Sequence, residues 1–291
     1  MSGRNRWLPY ALLAPIILGM LVLVYYPILE TFAYSVQAMN LTTPWIKGFV
    51  WLKNYVELLR DPSVLMATLN SVDILVLVLV ETVMLGLAFA LVLNRNSRVK
   101  GILTAIVIVP WALPPVVNGV IWRWVFHPDY GVVNSVLIRL GIVHSAIPWL
   151  TSHLLIINVA ALVVAWRSAP LAAVIFLSAL QAIPKQLYEA SQIDGCGVWT
   201  QFRLITLPLL RPVLGIVLTT TSITGINVFD EVVALSGFAS GTRTLMLETY
   251  LRTFRFLNFG TGSALVYLVM LGTAVIGAIY IRRVYREVEY L

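Results

Sequence analysis

The chain has 291 residues, of which 59% are hydrophobic and 11% charged, with a formal net charge of +7. A soluble domain carries about 25% charged residues, and no soluble fold of this length could hide so much apolar side chain, so lipid is the natural solvent. In that setting the positive charge reads as basic residues flanking helices on the cytoplasmic side, not as a nucleic-acid surface, and the single Cys196 excludes an intramolecular disulfide or a cysteine metal cluster.

The apolar runs are about 20 residues long, the length a helix needs to cross a bilayer. They do not alternate as barrel strands do, so they predict an all-α membrane protein with six transmembrane helices. The first runs over about 7–29, after Arg4 and Arg6. It is too long for a signal-peptide core and no small-residue cleavage site closes it, so it is expected to be a retained anchor with its N-terminus inside. A mixed segment, about 31–68, precedes the second helix at about 69–93, which the basic stretch Asn94–Lys100 closes. The third covers about 101–126, and a polar turn with His127, Pro128, Asp129 and Gly131 follows. The fourth covers about 153–178, a longer charged loop runs over about 179–211, and the last two helices span about 212–235 and 261–281, before Arg282, Arg283 and Arg286.

Counting basic residues orients these spans. With both termini cytoplasmic, the inner segments hold 11 Lys and Arg in 56 residues and the outer segments 8 in 98. The density is more than twofold higher inside, as the positive-inside rule requires. No internal repeat or separate soluble domain is evident, so residues 1–291 are expected to form a single membrane domain.

The loop over 179–211 carries the most information. Pro184 suits a first helical turn, and Leu187, Ala190 and Ile193–Asp194 then fall at helical spacing. Gly195 and Gly197 allow a sharp turn. A second amphipathic piece follows with Trp199, Phe202 and Ile205 on one side, and Pro208 marks the start of the fifth helix. Two short helices outside the membrane with exposed apolar residues ask for a protein partner.

Glu189-Ala190-Ser191, then Gly195, Ile205, Leu207 and Pro208 resemble the EAA loop of bacterial ABC importer permeases: Glu-Ala-Ala, three residues, Gly, nine residues, Ile, one residue, Leu-Pro. Position 191 departs, with Ser for Ala. The resemblance implies a type I ABC importer permease fold. It also implies that this loop, including Glu189, Ala190, Ser191, Asp194, Gly195, Ile205, Leu207 and Pro208, is the coupling helix that docks on an ATPase subunit. The stretch Trp122–Asn134 and the region of Asn227, Val228, Phe229 and Asp230, followed by Leu235-Ser236-Gly237 and Thr244, resemble the carbohydrate branch of that family, although Phe238 and Ala239 stand where a double Gly is common. The implied protein is a permease subunit for sugars or sugar-like solutes in the prokaryotic cytoplasmic membrane. Its implied partners are a second, homologous permease, two ATPase subunits and an extracytoplasmic solute-binding protein. The chain itself would bind no cofactor, ATP and Mg being held by the ATPase.

Polar residues within the spans are candidates for a solute path, because ionisable groups in a bilayer usually face a bundle interior or cavity. Thr220, Thr224, Asn227 and Glu231 fall at i, i+4, i+7 and i+11, one stripe of a continuous helix, with Asp230 beside them. Trp111, Pro115, Asn118 and Trp122 repeat that spacing in the third helix. Hydrogen-bonding groups beside apolar rings suit sugars; routine helix packing predicts the same residues. Asn70, Asp73 and Glu81 share a face of the second helix, and Arg167 in the fourth is expected either on the path or paired with a carboxylate such as Glu81. His127, His144 and His153 show no metal-ligand spacing. Gly260-Thr261-Gly262-Ser263 lacks the Lys of a phosphate loop and reads as close helix packing. No G-x-x-x-x-G-K-[ST] occurs, nor any nucleophile–base spacing, so the chain is not an ATPase or other enzyme. The alternative is an ion-coupled secondary transporter using Asp73, Glu81 or Asp230. Such proteins usually show inverted repeats or broken helices, and the sequence displays neither.

Overall fold

The computed structural model describes residues 8–46, 48–95 and 98–288. In chain order the helices are α1 (Leu8–Met20), continued by a π-helical turn into α2 (Tyr26–Ser35); α3 (Lys53–Arg60); α4 (Pro62–Leu93); α5 (Lys100–Ile108), extended by one tight turn over Val109–Ala112; α6 (Pro115–Val125); α7 (Val132–Arg139); α8 (His153–Ala182); α9 (Lys185–Ile193); α10 (Val198–Gln201), continued through a π-helical turn into α11 (Leu207–Leu209); α12 (Arg211–Ile226); α13 (Asp230–Ser236); α14 (Leu245–Tyr250); and α15 (Phe259–Val288). Among the described residues, extended pairing is confined to two isolated bridges, Gln37 with Phe49 and Asn40 with Asn258. The expected all-helical architecture holds.

Four helices are long and apolar enough to span a bilayer, and six spans result if each of two bent pairs counts once. The first span reaches Ser35 rather than residue 29, and its expected start at Trp7 lies outside the described residues. The second begins at Pro62 rather than 69.

Two expected helices are not continuous, which also corrects the reading that the chain lacks broken helices. The third breaks between Ala112 and Pro115, with its halves bent by 102°. Two adjacent prolines cause this. Pro114 excludes the helical region for Leu113, whose ψ is 133°, and neither proline can donate an N–H to continue the ladder. The fifth stops at Ile226 and resumes as α13 at Asp230. Side chains bond the carbonyls at the break. Asn227 Nδ2 adds a bond of 2.7 Å to the Ile223 carbonyl, which also accepts the Asn227 N–H at 3.3 Å, and the Thr244 hydroxyl donates to the Val228 carbonyl at 2.8 Å.

The chain forms two compact units. One holds the described residues up to 64 with 248–268; the other holds 65–247 with the described residues from 269 onward. In the first, Asn54 is buried and donates to the carbonyls of Ser35 and Gln37 at 2.8 and 2.9 Å, and the Tyr55 hydroxyl bonds Ser35 Oγ at 2.7 Å. Arg252 Nε donates to Glu248 at 2.9 Å while its Nη2 bonds Asp61 and, at 3.0 Å, Ser63 Oγ. Burial pushes the Asp61 carboxyl up, but the hydrogen bonds from Arg252 and Ser63 outweigh it and hold the group below its ordinary value. A Cβ on Gly260 would meet the Gln37 carbonyl at 2.5 Å, and one on Gly262 would overlap Thr253, so both glycines serve close packing as expected.

The second unit is organised on α8, the most buried span. Its inward residues are small (Ala161, Ala165, Ala169 and Ala173 are fully buried), which lets neighbouring backbones approach where lipid supplies no hydrophobic drive. Gly86 of α4 sits against Ala172, where a Cβ would come within 2.7 Å; Gly119 of α6 sits against Ala234 and the Glu231 backbone of α13. Ala90, Phe176, Leu180, Leu210 and Val217 form an apolar cluster joining α4, α8 and α12, and Tyr188 and Ile205 pack against it. That contact fixes the loop following α8 to the spans. Asn70 is buried and donates to the carbonyls of Gly241 and Arg243, a structural role.

Candidate functional site

The loop after α8 is a pair of short helices around one tight turn. Pro184 precedes α9, and the helix ends at a left-handed Gly195 with φ +77°. The Cys196 N–H donates to Ser191 O at 2.9 Å and the Gly195 N–H to Gln192 O at 3.0 Å, the paired bonds of a Schellman motif. Side chains then clasp the two helices. Gln201 Nε2 donates to Ser191 Oγ at 2.9 Å, Ser191 Oγ donates to the Tyr188 carbonyl at 2.8 Å, and the Tyr188 hydroxyl bonds Thr206 Oγ1 at 2.9 Å. Ser191, the departure from the resembled pattern, thus has a use that alanine could not supply.

The outer surface of this loop is apolar where water would favour polar groups. Ile193 is 88% exposed and Trp199 72%, with Val198 between them equally bare. Glu189, Ala190 and Asp194 are exposed beside them. Ile205 and Pro208 are half-buried and anchor the second piece, while Leu207 is partly exposed. The sequence spacing therefore separates into residues facing outward (Glu189, Ala190, Asp194) and residues that hold the shape (Ser191, Gly195, Ile205, Pro208).

Between α8 and α12 lies a cavity of about 60 Å³, lined by Trp111, Arg167, Ser168, Leu171, Ala172, Thr220, Thr221 and Thr224. It is smaller than the 300 Å³ or more typical of ligand sites. The structure thus brings three of the expected path residues together: Trp111, Thr220 and Thr224. The hydroxyls of Thr220 and Thr224 also bond carbonyls of their own helix.

The other path candidates part company, because both stripes run across helix breaks. Asn118 is buried and donates to the Val163 carbonyl of α8 at 3.0 Å. Trp122 stacks on Phe126 and meets Trp166 edge-on, with centroids 5.6 and 5.5 Å apart. Asn227 is exposed, and Asp230 is partly exposed at the start of α13.

Glu231 pairs with Arg167, whose Nε donates to Oε1 at 3.0 Å; their side chains are 4% and 18% exposed. Arg167 thus pairs with a carboxylate, as one of its two expected roles required, but with Glu231 in place of Glu81, and it also lines the cavity. Among the described residues Glu81 Oε2 is buried without a hydrogen-bond partner, and Asp73 is exposed. Sequence reasoning missed Ser168 and Thr221 as cavity residues. The polar pair Arg167-Ser168, flanked by uncharged apolar residues over 159–166 and 169–177, is the signal that points to Ser168.

Residues 82–286 match the family described as "Binding-protein-dependent transport system inner membrane component". The chain is 35% identical over 269 residues to the trehalose/maltose transport system permease protein MalF of Thermococcus litoralis, covering 91% of this chain and 89% of that protein. It is 33% identical over 280 residues to the sulfoquinovosyl glycerol transport system permease protein SmoG of Agrobacterium fabrum, covering 96% and 90%. Its fold matches, with a TM-score of 0.82 at 21% identity and over 97% and 96% of the two chains, a bacterial ABC transporter involved in the import of the acidic polysaccharide alginate.

Proposed function

Because the chain belongs to the family of binding-protein-dependent transport system inner membrane components, we propose that it is the permease subunit of an ATP-driven importer for sugars or sugar-like solutes. The family makes it a transport-system component of the inner membrane, and its long apolar helices make it multi-pass. The sugar reading draws on the relatives named for trehalose/maltose and sulfoquinovosyl glycerol transport, each aligned over about nine-tenths of this chain or more.

The single observation carrying the mechanism is the rigid, outward-facing apolar surface of α9 and α10. It docks on a separate ATPase subunit, which holds ATP and Mg. Glu189 and Asp194 add polar contacts at the rim, and Gly195 with the Ser191–Gln201 clasp fixes the angle between the two helices. With both termini cytoplasmic, as the basic residues argue, the docked surface faces the cytoplasm. A second permease completes the path, and an extracytoplasmic binding protein delivers solute. Closure of the ATPases moves the loop and shifts the pore between inward-open and outward-open states, nucleotide biasing two pre-existing conformations. The path runs past Trp111, Thr220 and Thr224, which line one cavity, and past Asn227 and Asp230. Asn118, Trp122 and Glu231 shape it from behind through their contacts with α8.

Purification of the tagged chain in mild detergent from its native host tests this. The expected result is co-purification of a second permease and an ATPase carrying a Walker motif, with sugar binding by the accompanying solute-binding protein. Recovery of the chain alone, with transport driven by an ion gradient, would overturn the proposal in favour of a secondary transporter.

A further inference from the structure

The segment between the first two spans contains a helix whose amphipathicity is turned outward. In α3, with the residue before it, three stripes run along the axis at helical spacing. Asn54 and Leu58 point inward and are buried. Leu52, Val56 and Leu59 form a second stripe that points away from the protein, with Leu59 73% exposed. Lys53, Glu57 and Arg60 form a third beside it, with Lys53 and Glu57 paired at 3.7 Å. In water the expected arrangement would put Leu52, Val56 and Leu59 inward and the Asn54 amide outward.

Its attachments place this helix at the edge of the bilayer. Asn54 donates to the carbonyl of Ser35, the last residue of the span Tyr10–Ser35, and Tyr55 bonds the Ser35 hydroxyl. At its other end a single residue, Asp61, separates α3 from the span Pro62–Leu93. A helix of eight residues, about 12 Å long, tied to the end of one span and the start of the next, has no room to leave the membrane surface. The turn leading into it is built the same way. Trp51 adopts a left-handed φ of 54°, a conformation unfavourable for a bulky residue, and presents an exposed indole that meets Phe49 edge-on at 4.6 Å. Exposed tryptophan at the water–lipid boundary is the usual membrane anchor.

We infer that α3 is an interfacial helix that lies in the outer leaflet, with Leu52, Val56 and Leu59 among the acyl chains and Lys53, Glu57 and Arg60 at the lipid headgroups. Apolar side chains sink into the headgroup–acyl boundary while charged ones stay wet. The choice of leaflet follows the orientation argued from basic residues; the lipid contact does not depend on it.

The test replaces Leu59, Val56 or Lys53, each in a separate variant, by the photo-reactive p-benzoylphenylalanine. The full chain with its accompanying subunits is reconstituted in vesicles of phosphatidylethanolamine and phosphatidylglycerol, illuminated and weighed by intact-protein mass spectrometry. All three positions are solvent-accessible in the fold, and two apolar sites keep the test valid if one variant assembles poorly. The expected result is a shift by the mass of one phospholipid at Leu59 and Val56, at least fivefold more abundant than at Lys53. Cross-linking of Leu59 or Val56 to another protein chain, no adduct at either, or equal lipid yields at all three positions would overturn the inference.

Discussion

Arg167→Leu is the substitution whose consequence the geometry defines best. It removes the cation from Glu231, whose side chain is only 4% exposed and which sits where α13 packs against the glycine face of α6. Breaking a buried pair from one side costs roughly 3–5 kcal/mol, because the remaining charge is left uncompensated. The reciprocal change, Glu231→Leu, leaves Arg167, which is more exposed and lines a cavity open enough for its guanidinium to be hydrated there. The cost should fall to about 1–3 kcal/mol. The double variant leaves no charge stranded and should lie within about 1.5 kcal/mol of the parent, since apolar replacement of a whole buried pair is often neutral. Unfolding titrations in mixed micelles of a mild detergent and dodecyl sulfate, over the four proteins of the cycle, give the coupling energy. From the costs above, the two single losses less that of the double, it is expected at about 2.5 kcal/mol or more. Additive single costs, with coupling below about 0.5 kcal/mol, or a larger loss for Glu231→Leu than for Arg167→Leu, would refute the reasoning.

Gly195 lies in the left-handed region and, among the described residues, no atom comes within 4 Å of where a Cβ would stand, so substitution there strains backbone alone. Gly195→Asn should retain most ATP-driven uptake and Gly195→Val should lose most of it, with about 1–2 kcal/mol of added strain in the turn; equal uptake by both variants would show that the turn geometry is dispensable. Asp61 is held below its ordinary value, so its contribution to stability is full above the unfolded carboxylate range near pH 4 and is lost as pH falls through the lower folded value. Thermal stability measured from pH 7 to pH 3 should therefore decline less steeply at the acid end in Asp61→Asn than in the parent, and parallel curves would exclude the group as a determinant.

The spans were legible because each rests on a local property, an apolar run long enough to cross. The turn at Gly195 was legible for a similar reason: Pro184, Gly195 and Pro208 punctuate the loop within a few residues of the structure they specify. The breaks in the third and fifth spans were not foreseen, although Pro114-Pro115 stood in plain view. At the first site the apolar pattern runs unbroken, and a proline in a span can be absorbed, as Pro170 is within α8; at the second, Asn227 and Glu231 fit the polar stripe of a continuous helix. The partner of Arg167 was beyond local reading. Glu81 and Glu231 both offered a carboxylate in a span, and the choice depended on α13 packing beside α6 after the break at Asn227. The inward Asn54 was hidden likewise, since its partners are backbone carbonyls near Ser35, which sequence does not display.

The clasp across the loop after α8 has a mechanical consequence. Helix α9 has nine residues, a rod of about 13 Å at 1.5 Å per residue. Free to flex at the glycine turn, it would absorb a push at its tip as bending. The Ser191–Gln201 and Tyr188–Thr206 bonds brace both sides of that turn, and Tyr188 and Ile205 seat the brace on the apolar cluster of α4, α8 and α12. The loop therefore behaves as a stiff crank, in which displacement at the exposed end emerges as torque on the spans with little play between stroke and response.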